Sequence, residues 1–129
     1  RIGPYTLQAA IAALHSEAPS SAATDWQEIC GLYNLLSQAD PSPVVALNRA
    51  VAIAMRDGPA VALPLIEQLQ QHGQLSQYHL LYAAKADLLR QLGRNSEALQ
   101  AYHDALRLCQ QAPEQRFLQH QITALQQLI

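Results

Sequence analysis

The sequence predicts an all-α domain of antiparallel helical hairpins, and three observations carry that prediction. The chain is half apolar but only 5% aromatic, and Ala, Leu and Gln dominate it. That mixture costs little in a helix and lacks the β-branched and aromatic excess of strands. Apolar residues recur at three- and four-residue spacings, and Pro, Gly and capping residues separate the periodic segments. A block of small and large apolar residues also recurs 36 positions further on.

Seven helical segments follow in order. After Gly3-Pro4, the residues Leu7, Ile11 and Leu14 form one stripe amid Ala9, Ala10, Ala12 and Ala13, and 18–23 reads as a loop. Asp25 is placed to cap a second helix with Glu28 as its capping-box partner. Its inward face is Trp26, Ile29, Leu32, Tyr33 and Leu36, and Asp40-Pro41 stops it. Ser42-Pro43 opens a third helix, with proline where its missing N–H costs nothing. That helix ends at Asp57-Gly58, where Gly58 is expected to adopt the left-handed conformation of a helix terminus. Pro59 starts a fourth, with Leu63, Ile66 and Leu69 inward, Leu65 alongside and Gly73 as its end. Ser76 is the expected cap of a fifth helix over 78–92, and Gly93 ends it. Asn95 or Ser96 is the expected cap of a sixth, from 97 to about 110. Pro113 begins a seventh, with Leu118, Ile122, Leu125 and Ile129 on one stripe.

The recurring block defines the architecture. Ala50, Ala62, Ile66 and Leu69 are matched 36 residues later by Ala86, Ala98, Tyr102 and Ala105, with Gly58 and Gly93 in the turns. The period is close to the ~34 residues of the tetratricopeptide repeat. Small side chains fit where two helices approach most closely, and Tyr33, Ile66 and Tyr102 are expected to fill the gaps between hairpins. A lone hairpin cannot bury its apolar face, so neighbours must stack. Ile29, Tyr33, Leu36 and Pro41 match the second helix of a preceding half-unit, and the seventh helix would cap the far end. No Trp-x-x-Leu-Gly opening occurs, so the units are tetratricopeptide-like. The expectation is one domain over 1–129: a short right-handed solenoid of about seven helices.

Several function classes are disfavoured. A net charge of −2, with basic residues scattered from Arg1 to Arg116, gives no footprint for direct DNA binding. No apolar run approaches the ~18 residues of a membrane span, and no signal peptide is evident. Cys30 and Cys109 read as two reduced, buried thiols of a cytoplasmic protein. The five histidines (His15, His72, His79, His103, His120) show no metal-ligand spacing, and there is no HExxH or Cys-x-x-Cys motif. Glu28, Glu67, Glu97 and Glu114 lie where capping and solvation explain them. No phosphate loop or nucleophile elbow is present. The expectation is a non-enzyme with no catalytic, cofactor-binding or metal-binding residues. The missing initiator Met and the Arg1-Ile2-Gly3-Pro4 start suggest a piece of a longer polypeptide.

What remains is a set of candidate interaction residues. Asn48 and Arg49 sit in a very apolar helix, where an unpaired polar group costs roughly 2–7 kcal/mol. Asn48 is therefore expected to bond a neighbouring helix, and Arg49 to reach a carboxylate such as Glu28 or Asp87. Lys85, Arg90 and Arg94 cluster near the end of the fifth helix, where cations complement the helix terminus or receive an acidic segment. Tyr78, His79 and Tyr82 are candidates for the same groove, or for packing between hairpins.

The stretches 3–13 and Thr24-Asp25-Trp26, together with the 41–52 block Pro-Ser-Pro-Val-Val-Ala-Leu-Asn-Arg-Ala-Val-Ala, are distinctive in combination. With Tyr78-His79-Leu80-Leu81, Leu92-Gly93-Arg94 and Pro113-Glu114-Gln115-Arg116-Phe117-Leu118, the chain resembles one family over nearly its whole length. It is similar to the tetratricopeptide-like C-terminal extension of a subgroup of bacterial extracytoplasmic-function sigma factors of the sigma-70 type. The resemblance implies that the parent acts in transcription initiation and that this extension regulates the sigma factor's own activity. The promoter-reading and polymerase-binding helices of such proteins are absent from the chain.

The expected function is therefore a regulatory interaction domain of a cytoplasmic sigma factor. Its expected partners are the factor's own N-terminal regions, the RNA polymerase core or another regulatory protein. The alternatives are a small-molecule sensor with a pocket around Asn48 and Arg49, or a free-standing tetratricopeptide scaffold.

Overall fold

A computed structural model describes residues 25–129. The predicted first helix and the 18–23 loop lie outside the described residues. Among the described residues the chain is all-α, with six helices and no strand. They are α1 (Trp26–Ala39), α2 (Pro43–Asp57), α3 (Pro59–His72), α4 (His79–Gln91), α5 (Asn95–Leu108) and α6 (Ala112–Gln126). Each helix packs on the next in sequence, and α2 also touches α4 across the intervening α3.

The caps explain the first two helices. The Asp25 carboxylate accepts the Glu28 N–H at 3.1 Å, and the Ser42 hydroxyl accepts the Val44 N–H at 3.2 Å with Pro43 at the first turn. Such caps are worth about 1 kcal/mol each. Pro64 lies inside α3, where it removes one ladder donor, yet it is exposed and the helix runs through it to His72. The carbonyl left over faces water, which limits the cost.

Two expected caps are not used. Ser76 does not cap α4: the cap position is Tyr78, without a side-chain bond. Residues 73–78 form overlapping turns that bury Leu75, and the Ser76 carbonyl accepts the Tyr82 hydroxyl at 2.9 Å. Neither Asn95 nor Ser96 caps α5, whose cap position is Arg94. After left-handed Gly93, the Arg94 N–H reaches back to the Leu89 carbonyl and its own carbonyl accepts the Ala98 N–H. The turn is complete after three residues, so α5 starts early. Gly58 departs from expectation as well. Its φ of 102° and ψ of 164° lie outside the left-handed helical region, in a basin open essentially to glycine alone. That extended ψ is what the following Pro59 demands.

The repeated small residues are core residues. Ala50, Ala62, Ala86, Ala98 and Ala105 are all buried, as are Ile66 and Tyr102. Tyr33, expected at the equivalent position, is only half-buried. Cys30 occupies it instead: it is buried and stands as far before Ile66 as Ile66 does before Tyr102. The buried stripe shared by α2 and α4 also extends to the last helix. Ile53, Leu89 and Leu125 are buried at 36-residue intervals, as are Ala50, Ala86 and Ile122.

Candidate functional site

A cleft of about 380 Å³ runs across α2, α4 and α6, with Tyr102 of α5 also among its lining residues. From α2 come Leu47, Asn48 and Val51, and from α4 come Leu80, Ala83, Ala84 and Asp87. The two sets are in register: Leu47, Asn48 and Val51 stand 36 positions before Ala83, Ala84 and Asp87. Residues three, four and seven apart share one face of a helix, so each helix turns the same face to the cleft. Phe117 of α6 contributes the far wall.

This face is unusually apolar for an exposed one. Val51, Leu80 and Phe117 remain 39%, 42% and 59% exposed, and Met55, one turn beyond Val51, is 45% exposed. Exposed large apolar groups gathered on one face mark interaction surfaces, whereas scattered ones do not. Asp87 supplies the cleft's charged group, held by the Arg90 guanidinium and the Gln91 amide. Burial pushes the Tyr102 phenol up, partly offset by the Arg90 guanidinium beside it.

The candidate residues read from sequence are dispersed by the fold. Asn48 is exposed in the cleft and not buried against a neighbouring helix as expected. Among the described residues Arg49 reaches no carboxylate; its Nε donates to Asn34 Oδ1 of α1 at 2.6 Å. Consecutive residues on a helix point about 100° apart, so Arg49 turns to a second cleft of about 350 Å³ with Ser37, Pro43, Leu69 and His72. Asn48 and Arg49, expected around one pocket, therefore line two different clefts. Tyr82 is buried with its hydroxyl bonded to Ser76, and Tyr78 packs half-buried against the core. Neither lines the cleft.

The basic cluster is likewise split. Lys85 donates to Gln70 Oε1 of α3 at 2.8 Å and lies in a shallow recess beside Glu97 and Asp104. Arg90 pairs with Asp87, and Arg94 forks onto Glu97 at 2.6 and 3.1 Å. The Arg94 fork holds the Glu97 carboxyl below its ordinary range. Lys85 and Arg94 share the neighbourhood of Glu97, whereas Arg90 stands apart on Asp87.

Sequence spacing also missed a juxtaposition. His79 Nε2 lies 2.5 Å from Glu114 Oε2, tying α4 to α6, and Cys109 Sγ lies 3.8 Å from the same oxygen. These residues are 30 and 35 positions apart from His79, so no local motif reveals them. Both cysteines are free and buried, as the sequence predicts.

Comparison with known proteins adds one relative. The chain is 46% identical over 125 residues to an uncharacterized protein of Rhizobium meliloti (strain 1021). The match covers 97% of this chain and 29% of the relative, so the chain spans less than a third of that protein's length. No family model and no solved structure matches the chain. No helix among the described residues is long and apolar enough to cross a membrane.

Proposed function

We propose that the chain is a tetratricopeptide-like regulatory domain of a bacterial extracytoplasmic-function sigma factor, acting in the cytoplasm through protein contacts and without catalysis. In this reading α2–α3 and α4–α5 are stacked hairpins of a short right-handed solenoid, preceded by α1 and closed by α6. The α2–α4–α6 cleft is the docking surface. It receives an amphipathic helix from the factor's own N-terminal regions, from core RNA polymerase or from another regulatory protein.

The observation that carries this is the in-register apolar lining of the cleft. Val51, Leu80 and Phe117 offer the exposed apolar contacts that take the i, i+3 and i+4 anchors of a helix laid along a groove. The much longer relative supports a domain working within a larger polypeptide, and the sigma-factor resemblance supports the choice of parent. Arg94, a groove candidate on sequence grounds, now serves as a control because its guanidinium is committed to Glu97.

The test is promoter output from the full-length parent carrying Val51→Asp or Phe117→Ser. Both residues are exposed, so the expected result is unchanged thermal stability with output altered several-fold, while Arg94→Ala behaves as wild type. Unchanged output from well-folded Val51→Asp and Phe117→Ser proteins would reject the docking role.

A further inference from the structure

We propose that His79, Cys109 and Glu114 form a binding site for a thiophilic divalent cation of the zinc class. This goes beyond the docking role and rests on different residues. His79 is the first residue of α4, Cys109 terminates α5, and Glu114 lies in the first turn of α6. Their Nε2, Sγ and Oε2 atoms all lie within 4.8 Å of one another. Among the described residues this is the one place where three such donors gather.

The geometry is close to what a cation needs. Tetrahedral zinc with bonds of about 2.0–2.3 Å sets its donor atoms roughly 3.2–3.8 Å apart. Sγ and Oε2 already stand at 3.8 Å. His79 and Glu114 sit at hydrogen-bonding distance and must part by less than about 1 Å. Glu114 has the freedom to move, since its side chain is half exposed, whereas His79 and Cys109 are held by their surroundings.

The protons point the same way. The Cys109 thiol is ringed by three oxygens: the Gln111 carbonyl at 3.6 Å, Gln111 Oε1 at 3.9 Å and Glu114 Oε2 at 3.8 Å. One S–H satisfies one acceptor at a time. A cation in the gap satisfies the sulfur and the carboxylate together, and the Gln111 amide oxygen or water completes its shell. On binding, the S–H bond gives way to a sulfur–metal bond and the thiol proton leaves to solvent. Ligation through Nε2 uses the His79 tautomer that carries its proton on Nδ1, so that Nε2 presents a lone pair. Thiolate, imidazole and carboxylate together suit zinc, whereas magnesium and calcium prefer all-oxygen shells. Gln115 Nε2 donates to the Cys109 carbonyl at 2.8 Å and fixes the turn that carries the thiol.

The ion would clip α6 to α4 and to the end of α5. Phe117 lies one turn beyond Glu114, so occupancy would also fix the far wall of the apolar cleft.

Cobalt(II) is the probe, titrated into the purified, phosphine-reduced full chain. The expected result is one equivalent bound with a thiolate-to-cobalt charge-transfer band, displaced by zinc. Cys109→Ser abolishes the band, and Cys30→Ser keeps it. Glu114→Gln, on a half-exposed side chain, weakens binding by at least the roughly 10–100-fold of losing a group that only orients a ligand. Zinc raises the melting temperature of the wild type but not of Cys109→Ser. Absence of the band in the wild type, or a band that survives Cys109→Ser, would overturn the proposal. So would undiminished affinity in Glu114→Gln.

Discussion

The consecutive helix pairs α2–α3 and α4–α5 share one sequence register but close it with different chemistry. At the core positions the first offers Ala50, Ala62 and Ile66, and the second Ala86, Ala98 and Tyr102, all buried. At the turn the first uses a single residue, Gly58, followed by a proline, whereas the second spends Leu92, Gly93 and Arg94. The first presents Asn48 and Val51 to the cleft where the second presents Ala84 and Asp87. The positions that set how closely helices approach are thus repeated faithfully. Those that face the cleft have diverged.

Removing the filler between hairpins tests that scaffold most severely. Tyr102→Ala should destabilise by about 3–5 kcal/mol and Ile66→Ala by about 2–5, read by chemical denaturation. Similar losses would mark the two positions as equivalent, whereas a negligible loss at one would break the repeat. Ala62→Leu and Ala98→Leu, which force bulk into close helix approaches, should each cost about 1–3 kcal/mol. The turns should differ in the same assay. Space is open around both glycines, so the cost of a side chain is that of the backbone alone. Gly93→Ala should lose about 1–2 kcal/mol at its left-handed φ of 77°. Gly58→Ala should lose more, toward about 3 kcal/mol, because its basin excludes side chains almost entirely.

Two gains and a pH effect are smaller. Among the described residues Ser37 Oγ is buried without a hydrogen-bond partner, so Ser37→Ala should stabilise α1 by about 1 kcal/mol. Pro64→Ala should also stabilise α3 by restoring a ladder bond. Each turn carries an ion pair, Arg56–Asp57 beside Gly58 and Arg94–Glu97 beside Gly93. In each, the arginine's hydrogen bond holds the carboxyl below its ordinary value. A depressed carboxyl contributes stability at neutral pH that is lost as pH falls through its folded value. Glu97→Gln and Asp57→Asn should therefore each flatten the loss of stability below about pH 4 slightly, since exposed pairs are worth little. A steeper acid loss in either variant would contradict this assignment.

Helix limits and core alanines were legible in the sequence because they depend on local signals. Ser42-Pro43, Asp25, Gly73 and Gly93 act within a few residues of themselves, and the recurrence of Ala50 and Ala86 is plain by counting. The site was less legible because it depends on which way side chains turn and on what arrives from elsewhere. Asn48 sits in an apolar stretch, yet one helical step separates the exposed face from the buried one. Arg49 found an amide, Asn34, where a carboxylate was the chemical expectation. Arg90 and Arg94 were satisfied by acids three residues away, which a cluster of cations read by itself conceals. The meeting of His79 with Cys109 and Glu114 arises only when α4 and α6 come together over the end of α5.

The central claim, that the α2–α4–α6 cleft is the working surface, is tested most directly by site-specific photocrosslinking in the full-length parent. A photoreactive residue at Val51, in the cleft, is compared with one at Val61, equally apolar and 52% exposed on α3 but not part of the cleft lining. The account predicts a defined crosslink to the N-terminal regions or to polymerase from position 51 and none from position 61. Crosslinking from 61 alone, or equally from both, would contradict it.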